Sequence, residues 1–417
     1  MMESINFRTG MIASLFRTTQ AALAETSQKF SAPNRNETID SPLRCKSLPR
    51  TVKRNRSRWL ADANLVKIEP SVRTSDLEYN PRQWLLSGNP SLARLITAAI
   101  GDRWITHLED LEQLAPIADD PLFQSRWQAV KQDNKQTLAN ELYRSQGIDI
   151  DTNSLFDLHL QPISGHQRQL LNILHILNLV DRLKQNPGID ILPRTVIFGD
   201  VGEVPTTGID AAETNEPVTT DDDLSRSILV LIKSLAEILA ADRDVSGKLQ
   251  VVYVPAAAEL TSQMYAAADL TQQIATATIE DVDLTKLKAT VNGVLSIGSL
   301  GKTNYCLQQT VGEHNCFRFG LAIPEIALFK EYGYDPYNYY KYYPQIRQAI
   351  DNLLAGHFTP TDPSLGRSII DTLLGADEHM VLADYIFYIA CQSQVSETYA
   401  RPSVWTRMSI LNVAGVR

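Results

Sequence analysis

From about residue 76 onward, the spacing of apolar positions switches repeatedly between two periods. Apolar residues three and four apart predict helices over Ser91–Ile100, along the Leu/Ile stripe of Trp104–Ile117, and over Phe123–Gly147, where Gly147 stops a long amphipathic run. The same spacing marks His166–Gly188, ended by Asn186-Pro187-Gly188, then Ser225–Ala241 with Asp223 as its cap, and Glu259–Ala277. Short, mostly apolar runs bounded by Gly, Pro, Asn or Asp predict strands at Asn153–Ile163, Arg194–Asp200, Lys248–Pro255 and Ala289–Gly298. Beyond Phe319 the pattern is helical, over Pro324–Tyr334, Tyr342–Gly356, Ser368–Gly375 and His379–Ala400. Strands alternating with long helices from Asn153 to about Phe319 imply a mostly parallel sheet with helices on both faces, which binds ligands at the carboxyl ends of its strands.

Residues 1–75 differ. Met11–Phe30 forms one amphipathic helical pattern, followed by a polar stretch with Pro33, Pro42 and Pro49 and a basic cluster at Arg50–Arg58. Within residues 1–60, Arg and Lys outnumber Asp and Glu 11 to 4, so the net charge of −9 leaves about −16 on the remainder. The expected organisation is a basic, Pro-containing arm over 1–75 and an α/β domain over 76–417. The arm reads as a flexible or loosely docked segment, or as an adaptor for an acidic surface or protein partner. A transit peptide matches its Arg and Ser content, but Glu3 and Glu25 oppose that reading.

Composition narrows the classes. Apolar residues at 44% and charged residues at 21% of 417 positions describe an ordinary globular chain with room for a large core. No apolar run reaches the roughly 18–20 residues of a membrane span, and the acidic balance argues against nucleic acid. The four cysteines, Cys45, Cys306, Cys316 and Cys391, form no CxxC pair or zinc spacing, and no HExxH occurs. Free thiols in a reducing cytoplasm follow, with no metal site expected.

Four stretches invite chemistry. Ser296–Thr303 (SIGSLGKT) approaches a phosphate loop, but a GxxxxGK(S/T) motif needs glycine where Ser296 stands, and no clear helix is evident after Thr303. Gly199-Asp200-Val201-Gly202 ends a strand, yet Asp200 would repel a pyrophosphate. Tyr332–Tyr343 holds seven tyrosines, which suit a half-buried packing element or a platform for sugars or a partner. Asp221-Asp222-Asp223 reads as a solvated, dipole-favoured helix start rather than a metal site.

The stretch Glu280–Gly293 (EDVDLTKLKATVNG) is the remaining candidate, placed between a helical run at Leu270–Ala277 and the strand-like Val291–Ile297. It carries Lys288 without the glycines a phosphate cradle beside it would need. Together with NPRQWLLSGNPSLARLI, VKQDNKQTLANEL, NSLFDLHLQPISGHQRQLLNILHI, AADLTQQIATA, VNGVLSIG and LADYIFYIACQSQVSETY followed by VWTRM, it resembles the C-terminal half of the α-glucan (glycogen or starch) phosphorylases, in order and spacing, from about Asp76 to Arg417. The resemblance implies a Rossmann-like domain of the glycosyltransferase-B type with a helical C-terminal portion. It implies no counterpart in residues 1–75 for the family's N-terminal half, and none for the helix that follows WTRM. In that family pyridoxal phosphate forms a Schiff base on a lysine, its phosphate relays a proton to inorganic phosphate, and an α-1,4 glucan is phosphorolysed. Two adjacent dianions repel, so such a site needs cations and donors around both.

By that resemblance the cofactor lysine falls on Lys288, the glucose-binding glutamate on Glu280 and the tryptophan beside the cofactor on Trp84. The Gly-Thr-Gly cradle falls on Asp283, Leu284 and Thr285. The Tyr-Arg pair at the cofactor phosphate falls on Ala256 and Ala257, the Lys-Arg pair at the substrate phosphate on Gln161 and Pro162, and the Tyr-Lys pair on His166 and Gln167. The glucose-contacting asparagine falls on Leu77 and the Gly-Gly-Lys turn on Gly199, Asp200 and Val201. The expectation is a non-catalytic relative without cofactor, Lys288 being solvated or salt-bridged near Asp281 or Asp283. Protein partners would bind through the arm and the face left by the missing half. The alternatives are a pyridoxal phosphate-dependent phosphorylase and a glucan-binding module.

Overall fold

The computed structural model describes residues 81–161, 167–200, 220–255, 258–277, 284–360 and 362–416. The calls on the arm, Leu77, Pro162, His166, Val201, Ala256, Ala257, Glu280, Asp281 and Asp283 lie outside them.

Six strands form one sheet: β1 (Leu155–Gln161), β2 (Arg194–Asp200), β3 (Leu249–Pro255), β4 (Leu270–Gln273), β5 (Leu295–Ser299) and β6 (Phe317–Phe319). All neighbours are parallel, in the order β3-β2-β1-β4-β5-β6. This is a Rossmann-type order, and it reverses between β1 and β4, so the crevice for a ligand opens at the carboxyl ends of those two strands. The strands are buried on both faces, which is why they read as near-continuous apolar runs.

Short helices α1 (Pro81–Leu86) and α2 (Pro90–Ile100) lead the described chain. Asn89 caps α2 by accepting from the Leu92 amide, and Pro90 fits the first turn, where no amide donor is required. The Leu/Ile stripe at Trp104–Ile117 forms two 3-10 helices (Arg103–Ile105 and Leu108–Ile117) rather than one α-helix, with Pro116 unable to supply an i→i−4 bond. Leu85, Ile96, Trp104, Leu111 and Leu114 are fully buried there; each such side chain contributes about 1.5–3 kcal/mol. Helix α3 (Pro121–Gln146) is capped by Asp120 and stopped by Gly147 at φ +69°, a left-handed value that favours glycine.

Four further expectations are corrected. The helix read through Glu259–Ala277 stops early: α6 (Ala258–Ala267) ends ten residues short, and Leu270–Gln273 is β4. There the Gln272 side chain bonds the buried Asp157 instead of reaching solvent, so helical spacing misread a strand buried on both faces. The strand read over Ala289–Gly298 begins late: α7 (Leu284–Val291) carries Lys288, and Gly293 at φ +68° turns the chain into β5. Asp223 does not cap its helix, because α5 (Thr220–Ala241) starts three residues earlier. Finally, a helix does follow Thr303: α8 (Lys302–Val311). The intervening helix α4 spans Leu170–Gln185.

The C-terminal part comprises α9 (Ile323–Tyr332), α10 (Pro336–Tyr342), α11 (Pro344–Leu354), α12 (Pro363–Gly375), α13 (Val381–Tyr399) and α14 (Pro402–Ala414). Helix α13 lies against α4 and β6, and α14 closes the N-terminal helical cluster. Among the described residues no helix is long and apolar enough to cross a membrane.

Candidate functional site

Lys288 and Trp84 are brought together. The Lys288 ammonium stands 5.2 Å from the centre of the Trp84 indole ring, within reach of a cation–π attraction of about 0.5–1 kcal/mol at a partly exposed site. Helices α1 and α7 pack on each other, and an amide network fixes them. Asn89 Nδ2 donates to Asn292 Oδ1 (3.0 Å), Asn134 Nδ2 donates to Asn89 Oδ1 (3.1 Å), and Asn292 Nδ2 donates to the Lys288 carbonyl (2.8 Å). Beneath it, Lys131 donates to the carbonyls of Ala266 (3.0 Å) and Ala268 (2.6 Å). Burial lowers the Lys131 ammonium to about 8, despite the opposing pull of Asp269. Lys288 is half-buried, and its contact among the described residues is the indole face; Asp281 and Asp283, the ion-pair partners expected for it, lie outside them.

The remaining positions fall as follows. Gln161 ends β1 in register with Asp200 of β2, and Leu284 and Thr285 open α7. Gly199 lies inside β2, where an added Cβ would strike Leu160 Cδ2, so this glycine serves strand packing rather than a dinucleotide turn. Gln167 is buried beside Arg168. In SIGSLGKT only Leu300-Gly301 separate β5 from α8. A Cβ on Gly298 would meet the Asn304 side chain at 2.5 Å, and one on Gly301 would come within 3.1 Å of the Ala277 carbonyl. These glycines therefore permit close approach, and a two-residue turn is too short to wrap a phosphate. The tyrosine run is half internal: Tyr339 and Tyr343 are buried with rings stacked at 5.6 Å, and Tyr334 donates to Asp377.

Behind the crevice lies a polar network that pattern reading missed. Asp157 is fully buried in β1. It accepts from Arg194 Nη1 (3.0 Å) and from Gln272 Nε2 (2.9 Å), and its Oδ1 lies 3.2 Å from His159 Nε2. Arg194 also donates to Gln392 Oε1 (2.6 Å), Gln392 to the Tyr388 hydroxyl (2.8 Å), and Tyr388 to Gln272 Oε1 (2.5 Å). Burial raises the Asp157 carboxyl, but the charges and hydrogen bonds of His159 and Arg194 and the bond from Gln272 outweigh it, and hold the group below the usual carboxylate range. A second cluster clamps the rim. Arg168 donates to the carbonyls of Ile274 and His379 and to Asp384 Oδ2 (2.7 Å), while Asp384 Oδ1 accepts from the Leu321 amide (2.7 Å). Burial pushes the Asp384 carboxyl up against the pull of Arg168. The available signal was the charged and amide residues set inside apolar runs, as in LFDLHL. The first cluster joins β1, β2 and β4 to α13, and the second ties the segment before α4 to α13, so together they hold the middle of the sheet against that helix. Among the described residues no group of three His, Cys, Asp or Glu side chains is placed to hold a metal ion.

Comparison with known proteins agrees with this geometry. Residues 78–417 match the carbohydrate phosphorylase family. The chain is 36% identical over 335 residues to a glycogen phosphorylase of Synechocystis sp., 35% to the muscle form of Macaca fascicularis and 33% to the brain form of Ovis aries. Each alignment takes in 80% of this chain and 38% of the relative, so the chain spans about two-fifths of the length of the proteins it matches. Over residues 78–417, the chain belongs to the carbohydrate phosphorylase family.

Proposed function

We propose that this chain is a non-catalytic phosphorylase-fold protein that acts as a binding or structural subunit of a larger assembly. One observation carries the reading. The positions that the resemblance assigns to the partners of two phosphates hold Gln161, Pro162, Ala256, Ala257, Asp283 and Leu284, while the scaffold around them keeps its fold. Losing a single buried cation partner of an anion costs about 2–5 kcal/mol. A set with no cation, one added carboxylate and two alanines does not fit pyridoxal phosphate. The positive charge of the sequence Arg50–Arg58 would suit an acidic partner.

The test is direct. Protein isolated from its own cell, supplied with pyridoxal phosphate, glycogen and inorganic phosphate, is expected to show no Schiff-base absorbance and no glucose-1-phosphate. Native mass spectrometry of the same sample is expected to show a bound partner protein. Absorbance of a lysine aldimine together with phosphate-dependent sugar-phosphate release would end this reading.

The retained Lys288–Trp84 contact favours one alternative, a phosphorylase-type glycosyltransferase whose site is completed by a second subunit. Glu280 is the third residue to test there. An assembly whose glucan-dependent activity falls on Lys288→Ala would support that alternative.

A further inference from the structure

Two cysteines meet where the last strand of the sheet packs on α13. The chain through β6 runs back along that helix. The Leu321 amide donates to Asp384 Oδ1 (2.7 Å), a Cβ on Gly320 would meet the same atom at 2.8 Å, and the Phe319 and Tyr388 rings stand 5.1 Å apart. Each step towards the start of β6 therefore moves towards the carboxyl end of α13. The turn after Tyr388 carries Cys391, on the same helix face at i+3, and the residue just before β6 is Cys316. We propose that Cys316 and Cys391 are a redox pair that hydrogen peroxide closes to a disulfide, pinning the edge of the sheet to α13.

The two thiols are unequal in the way such a pair requires. Cys316 is partly exposed, whereas Cys391 is buried. Burial pushes the Cys391 thiol up, and Cys316 adds to that shift, so the two sulfurs are within electrostatic reach of each other. Cys391 is thus kept as a protonated thiol away from solvent, and the first attack on an oxidant falls to Cys316. The backbone around Cys316 is anchored on both sides. The Asn315 carbonyl accepts from Asn412 Nδ2 (2.7 Å), and Phe317 pairs with Ile297 of β5. Cys316 occupies the bend between them, outside the strand. Its side chain is therefore not bound by the strand alternation and turns towards α13 without breaking the ladder.

The chemistry balances in two steps. The Cys316 sulfur attacks one oxygen of the peroxide and the O–O bond breaks. The departing hydroxide takes the Cys316 proton and leaves as water, and Cys316 becomes a sulfenic acid. The Cys391 sulfur then attacks the Cys316 sulfur. The S–S bond forms, the S–O bond breaks, and the hydroxyl leaves with the Cys391 proton as a second water. Two thiols lose two electrons, and one peroxide gains them. A dithiol reverses the change by exchange. The link braces α13 beside Gln392, which accepts from Arg194 Nη1 and donates to the Tyr388 hydroxyl, so it reinforces the turn that completes the Asp157 network.

The proposal does not depend on whether the crevice is catalytic. The test is peptide mapping of the full chain after brief exposure to hydrogen peroxide, with the remaining thiols alkylated and no reductant present. A peptide joining Cys316 to Cys391 is expected. The thiol count under denaturation should fall from four to two and return to four with dithiothreitol. The linked chain should melt about 5 °C higher, the effect of closing a loop of about 75 residues. Cys391→Ala should leave the sulfenic acid on Cys316, read as a gain in dimedone labelling over the wild type, and Cys316→Ser should leave Cys391 unmodified. No joined peptide, joining of Cys45 or Cys306 in equal yield, dimedone labelling that Cys391→Ala does not change, or a linked chain that melts no higher would each overturn the proposal.

Discussion

Arg194→Met is the substitution whose outcome follows most directly from the fold. Arg194 is 4% exposed and Asp157 is fully buried, so the change leaves a carboxylate inside the sheet with only Gln272 and His159 beside it. Removing one partner of a buried pair costs about 3–5 kcal/mol, more than the pair contributes over an apolar replacement, because the remaining charge is uncompensated. At about 2.1 cal/mol/K per residue, the roughly 340 residues from Pro81 onward unfold with an entropy near 0.7 kcal/mol/K, so Tm should fall by about 4–7 °C. The pH dependence gives a sharper check. In the wild type the Asp157 carboxyl is held low, so its contribution is present above the unfolded carboxylate value and is lost as pH falls through the lower folded value. Without Arg194 only His159 and Gln272 oppose burial, so the carboxyl moves up relative to the wild type and protonation relieves the variant as pH falls. The Tm gap between wild type and variant should therefore narrow from pH 7.5 to pH 5. A double variant with Asp157→Asn should recover part of the loss at pH 7.5. Differential scanning fluorimetry across pH measures all three. A gap under 1 °C, or one that is constant with pH, would refute the reasoning.

Further outcomes follow from other sites. Gly293→Ala should destabilise by at least about 2 kcal/mol in urea titration, since Gly293 has φ +68° and its Cβ would meet Ser409 Oγ at 2.5 Å and Trp127 at 3.0 Å. Tyr388→Phe should cost about 1–2 kcal/mol by the same measurement, because Gln272 Oε1 and Gln392 Nε2 lose a buried partner. Lys131 is lowered to about 8 by burial, so the unfolded chain holds its proton to higher pH than the native one. The Lys131 contribution to stability should therefore rise from pH 8 towards pH 9.5, and Lys131→Met should remove that rise.

What the sequence disclosed depended on which forces leave a period behind. Strands at Arg194–Asp200 and Lys248–Pro255 were legible because apolar runs closed by Asp or Pro have few other solutions, and α3 was legible because Gly147 marks its end. The join from α6 to β4 was not, because AADLTQQ satisfies both helical and strand spacing. Only the pairing of Leu270 and Thr271 with β1 on one side and β5 on the other selects the strand. The phosphate loop was set aside on Ser296 and on an absent helix, yet α8 is present, so Ser296 and the short Leu300-Gly301 turn are what argue against a cradle. Lys288 and Trp84 were found, and set near one another, only through resemblance; no period in the chain shows their contact, since it depends on how α1 packs against α7. The Asp157 network left only the trace of polar letters inside apolar runs, and its partner on α13, Gln392, is 235 positions away in the chain.

That separation bears on how the chain folds. Strand β1 can align with β2 early, but its other neighbour, β4, arrives about a hundred residues later, and the side chains that complete the polar clusters, Asp384, Tyr388 and Gln392, belong to α13. Contacts so distant in sequence make a slow search, because loop closure is costly before it is rewarded. A chain emerging from the ribosome would therefore hold Arg168, Arg194 and Asp157 in a half-built sheet until Asp384, Tyr388 and Gln392 are synthesised. During that interval the β1–β4 seam is open, and a chaperone or a nascent partner has its best opportunity to engage it.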